Sequence, residues 1–193
     1  MPLYNSSYLR QRSLTKTFSQ RQRILNESHS RSSFDIFLSH SYVDKEDVQA
    51  LYDQLTDMDF SVYVDWIVDP HLDRTNVTKE SATLVRKRMK SSASLLLAIS
   101  PDAILSKWVP WELGYVDGNT SRCAIIPVSK NVNPPKTFKG VEYLQLYPYI
   151  KHARVGALDE VYVIESSNNY TSLTNWINKN ENPNYKSVNI DLL

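Results

Sequence analysis

Glycine is scarce in this chain: four in 193 residues, at positions 114, 118, 140 and 156. They are too few and too scattered to write a G-x-G-x-x-G turn or a P-loop, so neither a hydride-transferring dehydrogenase nor a P-loop ATPase is expected. A single cysteine, Cys123, excludes an internal disulfide. It opens an apolar stretch, where a buried inert thiol is the expectation rather than a nucleophile. The four histidines, His29, His40, His71 and His152, stand singly and suggest no metal centre. Apolar runs such as Leu95–Ile99 and Ala124–Val128 fall far short of the roughly 20 residues of a membrane span. No secretory leader is visible, so a cytoplasmic protein is expected.

What is present is a chain of one-domain length, 41% apolar, with enough apolar residues for a real core. Its net charge of +1 conceals an asymmetry. Residues 1–33 carry six Lys/Arg and one acid; the remainder carries 16 basic and 20 acidic residues. The basic, Ser-rich segment 1–33 reads as an N-terminal extension, disordered or docked on the surface. Leu14, Phe18 and Leu25 could form one helical stripe. A contact between copies, a contact with an acidic partner, and an organelle presequence are all open readings of it. Residues 34–180 read as the domain and 181–193 as a polar tail.

From Phe34 onward strands alternate with helices. Strands are expected at 34–41, 61–66, 94–100, 123–129 and 143–148, with a further one in VYVIES before a helix over 170–177. Helices are expected at 44–58, at 78–90, and from SKWVPWELGYVDG to about Gly118, with Pro110 in the first turn. Repeated βα units imply an α/β fold with a parallel sheet of about five strands and helices on both faces. Such sheets bind ligands beyond the carboxyl ends of their strands. That rule singles out Ser39, His40, Ser41, Asp65, Trp66 and Ser100. Each has a plainer role open to it, in caps, loop amides or core. In SKWVPWEL, Trp108 and Glu112 stand four residues apart, one turn of a helix, so an indole would lie beside a carboxylate.

Taken in order, FDIFLSHS, SVYVDW, SLLLAIS and above all SKWVPWELGY resemble a bacterial Toll/interleukin-1 receptor (TIR) domain, over roughly Phe34 to Pro148, of the branch that cleaves NAD at the nicotinamide–ribose bond. The resemblance implies a flavodoxin-like fold, Glu112 as the catalytic carboxylate and Trp108 as its aromatic neighbour. Ser39, His40, Ser41, Asp65, Trp66 and Ser100 would then help hold the nucleotide. NAD would be a substrate, and no cofactor is implied. Nicotinamide leaves as a neutral base from an already cationic ring, so one carboxylate that offsets the ribose cation suffices. Water as acceptor gives ADP-ribose; an atom of the adenine or the second ribose gives a cyclic isomer. The family also implies self-association through the loop IVDPHLDRTN, which departs from the animal receptor pattern, together with a signal in antiphage defence read by a nucleotide-sensing effector. Neither membrane nor nucleic acid is an expected partner. A non-enzymatic TIR scaffold is the alternative, and another N-glycosyl enzyme a more distant one.

Overall fold

The computed structural model describes residues 4–13, 16–41, 43, 45–73, 78–100, 108–130, 142–155, 158–166 and 168–185. Strands β1 (Tyr4–Asn5), β2 (Phe34–Ser41), β3 (Val62–Tyr63), β4 (Ser92–Ile99), β5 (Cys123–Ser129), β6 (Tyr149–Val155), β7 (Leu158–Ser166), β8 (Asn169–Ser172) and β9 (Asn184–Tyr185) share one sheet, in the order β3-β2-β4-β5-β6-β7-β8-β9. The first five strands of that order run parallel and the rest antiparallel; β1 pairs in parallel with the end of β5. β2, β4 and β5 are buried along nearly their whole length, which explains why they read as continuous apolar runs rather than alternating ones.

Helices α1 (Ser6–Ser13), α2 (Phe18–Ser30), α3 (Lys45–Asp57), α4 (Asp65–Val68), α5 (Lys79–Lys90), α6 (Val109–Thr120) and α7 (Leu173–Asn178) complete the fold. The helical periodicity of α3 buries Val48, Leu51, Tyr52 and Leu55. Thr78 closes a capping box on α5, which buries Val85 and Met89. α6 carries Pro110 in its first turn and runs past Gly118 to Thr120; Ser121, in the left-handed region at φ 51°, ends it.

Three expectations need correction. Residues 143–148 are not a strand: Glu142–Leu146 is a 3-10 helix, and the fifth parallel strand begins at Tyr149, just past Pro148. Proline has no N–H to give a central ladder, so pairing starts after it. The second strand keeps only Val62 and Tyr63, because Asp65 starts a helical turn and accepts the Trp66 amide at 2.8 Å. The helix expected from Tyr170 starts at Leu173, capped by Ser172, while Tyr170 and Thr171 extend the sheet.

The basic N-terminal segment is docked and helical. Ser6 Oγ donates to both oxygens of the buried Asp47 at 2.6 and 2.7 Å, and Arg10 Nε to Asp47 Oδ1 at 2.7 Å. Ser13 Oγ donates to Asp53 at 2.6 Å, Arg21 pairs with Asp53 at 3.2 Å, and Lys16 pairs with Asp57 at 3.0 Å. The acidic counterpart of the segment is therefore α3 of the same chain. Leu9 is buried in the core and Leu25 packs against it, whereas Leu14 lies outside the described residues.

Candidate functional site

Glu112 lies in the first turn of α6 and is 1% exposed. Helix geometry places its amide on the carbonyl of Trp108 at 2.9 Å, one turn back. α6 packs on β4 and β2, and Ser39 of β2 donates its Oγ–H to Glu112 Oε2 at 2.6 Å. That short contact is a charge-assisted hydrogen bond to a buried carboxylate, between residues 73 apart in the chain. A carboxylate held in this way at a helix start, at the carboxyl end of a parallel sheet, can offset positive charge that develops on a bound substrate.

Trp108 is almost fully buried, and its ring centroid stands 5.6 Å from that of Trp111 at 55°. Tyr115 continues the aromatic row, and the Arg86 guanidinium from α5 lies 5.7 Å from the Trp111 ring centroid. In the sequence the spacing 108, 111, 115 is the signal for this row, while nothing local places Arg86 beside it. Ser106 and Lys107 of the motif lie outside the described residues.

The other rim residues divide. Ser39 and Ser41 alternate with His40 along β2, so His40 projects from the opposite face of the sheet to Ser39. Ser41 is buried and Ser100, one residue past β4, is half-buried. Asp65 is buried at the start of α4, holding the Trp66 amide. Trp66 is half-buried and lines a separate hollow with residues of α1, α2 and α3. The structure thus brings Ser39, Glu112 and the backbone of Trp108 together, and does not gather all seven other residues around that carboxylate.

The loop after β3 starts as α4. Asp69, just beyond it, is buried and receives Arg88 in a two-pronged ion pair at 2.7 and 2.8 Å, with Tyr63 Oη at 3.0 Å. Burial opposes its charge, but the hydrogen bonds and charge of Arg88, helped by Tyr63, outweigh that and hold the Asp69 carboxyl below its ordinary value. Asp69 is therefore an anchor at the base of the loop rather than a free surface group. Arg74 and Asn76 lie outside the described residues.

The TIR domain family matches residues 36–158, from the first core strand into β7. The chain belongs to the TIR domain family. Along its length this TIR protein is similar to a Bacillus cereus (strain MSX-D12) protein named "Probable 3' cyclic ADP-D-ribose synthase ThsB'", with 39% identity over 189 residues that cover 92% of this chain and 96% of the other. A second relative, "Putative cyclic ADP-D-ribose synthase TIR2" of Cytobacillus dafuensis, is 28% identical over 91 residues, 47% of this chain and 24% of that protein. Because it covers 92% of this chain, the first likeness takes in at least part of the N-terminal extension as well as the TIR domain.

Proposed function

We propose that this TIR protein consumes NAD and closes its ADP-ribose part into a cyclic product, with Glu112 as the catalytic carboxylate. The observation that carries the reading is the burial of Glu112 against the Ser39 hydroxyl at 2.6 Å, within the SKWVPWEL motif at the sheet rim. Breaking the bond between ribose C1′ and the nicotinamide nitrogen sends the bonding pair to the ring, which leaves as neutral nicotinamide. The ribose is left cationic. Glu112 offsets that charge, and Ser39 keeps the carboxylate in place. Capture of the cation by a hydroxyl of the second ribose closes the ring and releases one proton. Capture by water instead gives ADP-ribose. The names of both relatives favour ring closure.

The same reading makes the product a signal in antiphage defence, formed in the cytoplasm and sensed by a separate effector. Self-association of TIR domains near the rim would exclude water from the site and strengthen the attraction between Glu112 and the ribose cation. Among the described residues no helix is long and apolar enough to cross a membrane. The test is incubation of concentrated protein with NAD and chromatography of the products. The wild type is expected to release nicotinamide and a cyclic ADP-ribose isomer. A folded Glu112→Gln variant, alike in shape but uncharged, is expected to release neither. Near wild-type turnover by Glu112→Gln would end the mechanism. Intact NAD with assembled wild-type protein would favour the scaffold.

A further inference from the structure

α4 is a single turn, Asp65–Val68, and Val64 before it offers no side-chain cap. A helix this short does not stand alone in water and takes its order from what it packs against. Part of that support comes from the N-terminal extension. α2 packs on α4, and Nε2 of His29 donates to the carbonyl of Ile67 at 2.9 Å. Helix geometry leaves the last carbonyls of α4 without intrahelical partners, so this imidazole caps the turn from another element. Arg88, which holds Asp69 just beyond α4, also reaches the carbonyl of Arg31, the residue that ends α2, at 3.5 Å. The end of α2 and the base of the loop after β3 are thus tied at two points.

α2 itself is lightly seated. Among its described side chains only Ser28 is buried, with its hydroxyl 2.7 Å from Tyr52 Oη, while Ile24 and Leu25 are half-buried. Toward its other end Arg21 donates to the Ser13 carbonyl at 2.6 Å and pairs with Asp53 at 3.2 Å. The seam there packs imperfectly. It leaves a hollow of about 520 Å³, and two donors on its walls, Arg21 Nε and Trp66 Nε1, are buried with no acceptor among the described residues. Opening the seam hydrates both, so it costs less than parting a fully satisfied interface. An element with few buried apolar contacts opens before the sheet does.

We infer that α2 is a strap across α4. Docked, it keeps α4 folded and residues 69–73 in place; when α2 lifts, α4 unwinds with it. The two helices then form one cooperative unit that opens apart from the sheet. Whatever loosens the extension, whether a partner that grips it or a change of charge at its seat on α3, is passed to the loop. The strap needs no NAD, and only its bearing on the rim rests on the self-association proposed above.

The experiment is native-state hydrogen exchange of the full-length protein without NAD, so its failure is distinct from failure of the proposed reaction. It is read at the amides of Ile67, Val68 and Asp69, which donate to the carbonyls of Val64 and Asp65. In wild type, α2 and α4 are expected to share one level of protection, at least about tenfold below that of β2 and β4. Gln22 and Asn26 are exposed on α2 and hydrogen-bond to each other. Replacing both by Gly is expected to lower protection of α2 about fivefold through helix propensity alone, and that of α4 by the same factor. Arg21→Gln, at the far end of α2, is expected to move both helices in the same proportion. His29→Ala cuts the tie, so α4 is expected to lose protection and to stop responding to the double glycine variant. Loss of protection in α2 that leaves α4 untouched overturns the inference. So does an α2 that responds to neither the double glycine variant nor Arg21→Gln, or an α4 as protected as β2 and β4.

Discussion

Replacing Ser39 by Ala removes one hydroxyl from a buried contact and leaves the helix, strand and carboxylate in place. The lost bond is 2.6 Å long and ends on a carboxylate that is 1% exposed. Hydrogen bonds to charged groups contribute about 1.5–3 kcal/mol. At about 2–4 °C per kcal/mol for a chain of this size, Ser39→Ala should melt about 3–12 °C below wild type. If the same free energy keeps the carboxylate in its reacting position, turnover of NAD falls about ten- to hundredfold. The charge can be isolated with a double-mutant cycle. In a Glu112→Gln background the Ser39 hydroxyl faces a neutral amide, where the bond contributes about 0.5–1.5 kcal/mol, so Ser39→Ala should cost about 1 kcal/mol less there. The assay is denaturant unfolding of all four proteins, with NAD consumption measured for wild type and Ser39→Ala. A coupling below about 0.3 kcal/mol, or a Ser39→Ala enzyme within about twofold of wild type, would show that the hydroxyl neither feels nor positions the carboxylate.

Asp69→Ala should destabilise the protein by about 3–5 kcal/mol, because it strands the Arg88 guanidinium, which is only 15% exposed. Since Asp69 is held below its ordinary value, its contribution is present above about pH 4 and is lost as pH falls through the folded-state value, so the gap between wild type and Asp69→Ala should close on acidification. A gap that stays constant down to about pH 2 in urea unfolding would refute this. Lys151 is buried on β6, its Nζ has no acceptor among the described residues, and burial lowers its pKa from 10.5 to about 8. Below pH 8 both states are protonated and the native state bears the full cost. Between pH 8 and 10.5 the unfolded chain binds more protons, so stability rises with pH. Lys151→Met should therefore be more stable than wild type by about 3 kcal/mol at pH 7, and that advantage should shrink toward pH 10.5. A difference independent of pH would place the ammonium in contact with solvent.

The parallel sheet was legible because its strands are buried on both faces. FDIFLSHS and CAIIPVS could hardly be anything else, and both boundaries coincide with β2 and β5. A strand in VYVIES was legible and lies within β7, whereas β6, β8 and β9 and their antiparallel pairing were not. Tyr149–Val155 carries Lys151 and His152 among apolar residues, and Asn169–Ser172 is short and polar, so neither gives a clear period. At the site, Glu112 and Trp108 follow from spacing on one helix, which sequence records. Ser39 was legible as a rim residue, but its bond to Glu112 depends on how α6 crosses β2, and nothing local encodes that crossing. Trp66 shows the converse. Its position after the second strand is right, yet the short α4 and the docked extension draw it into another hollow.

The docking of the N-terminal extension also changes how this protein appears from a distance. Read as a string, it is a strongly basic arm on an acidic domain, a dipole that should steer partners and respond to ionic strength. In the fold, Arg10, Lys16, Arg21 and Arg23 all face carboxylates of the same chain, three of them on α3. Most of that dipole is closed on itself at short range, where a screening length of about 8–10 Å has little effect on buried pairs. The far field is consequently mild. Salt should therefore alter neither the seating of the arm nor encounters with other molecules strongly, and a change of charge on either surface would be felt first within the protein.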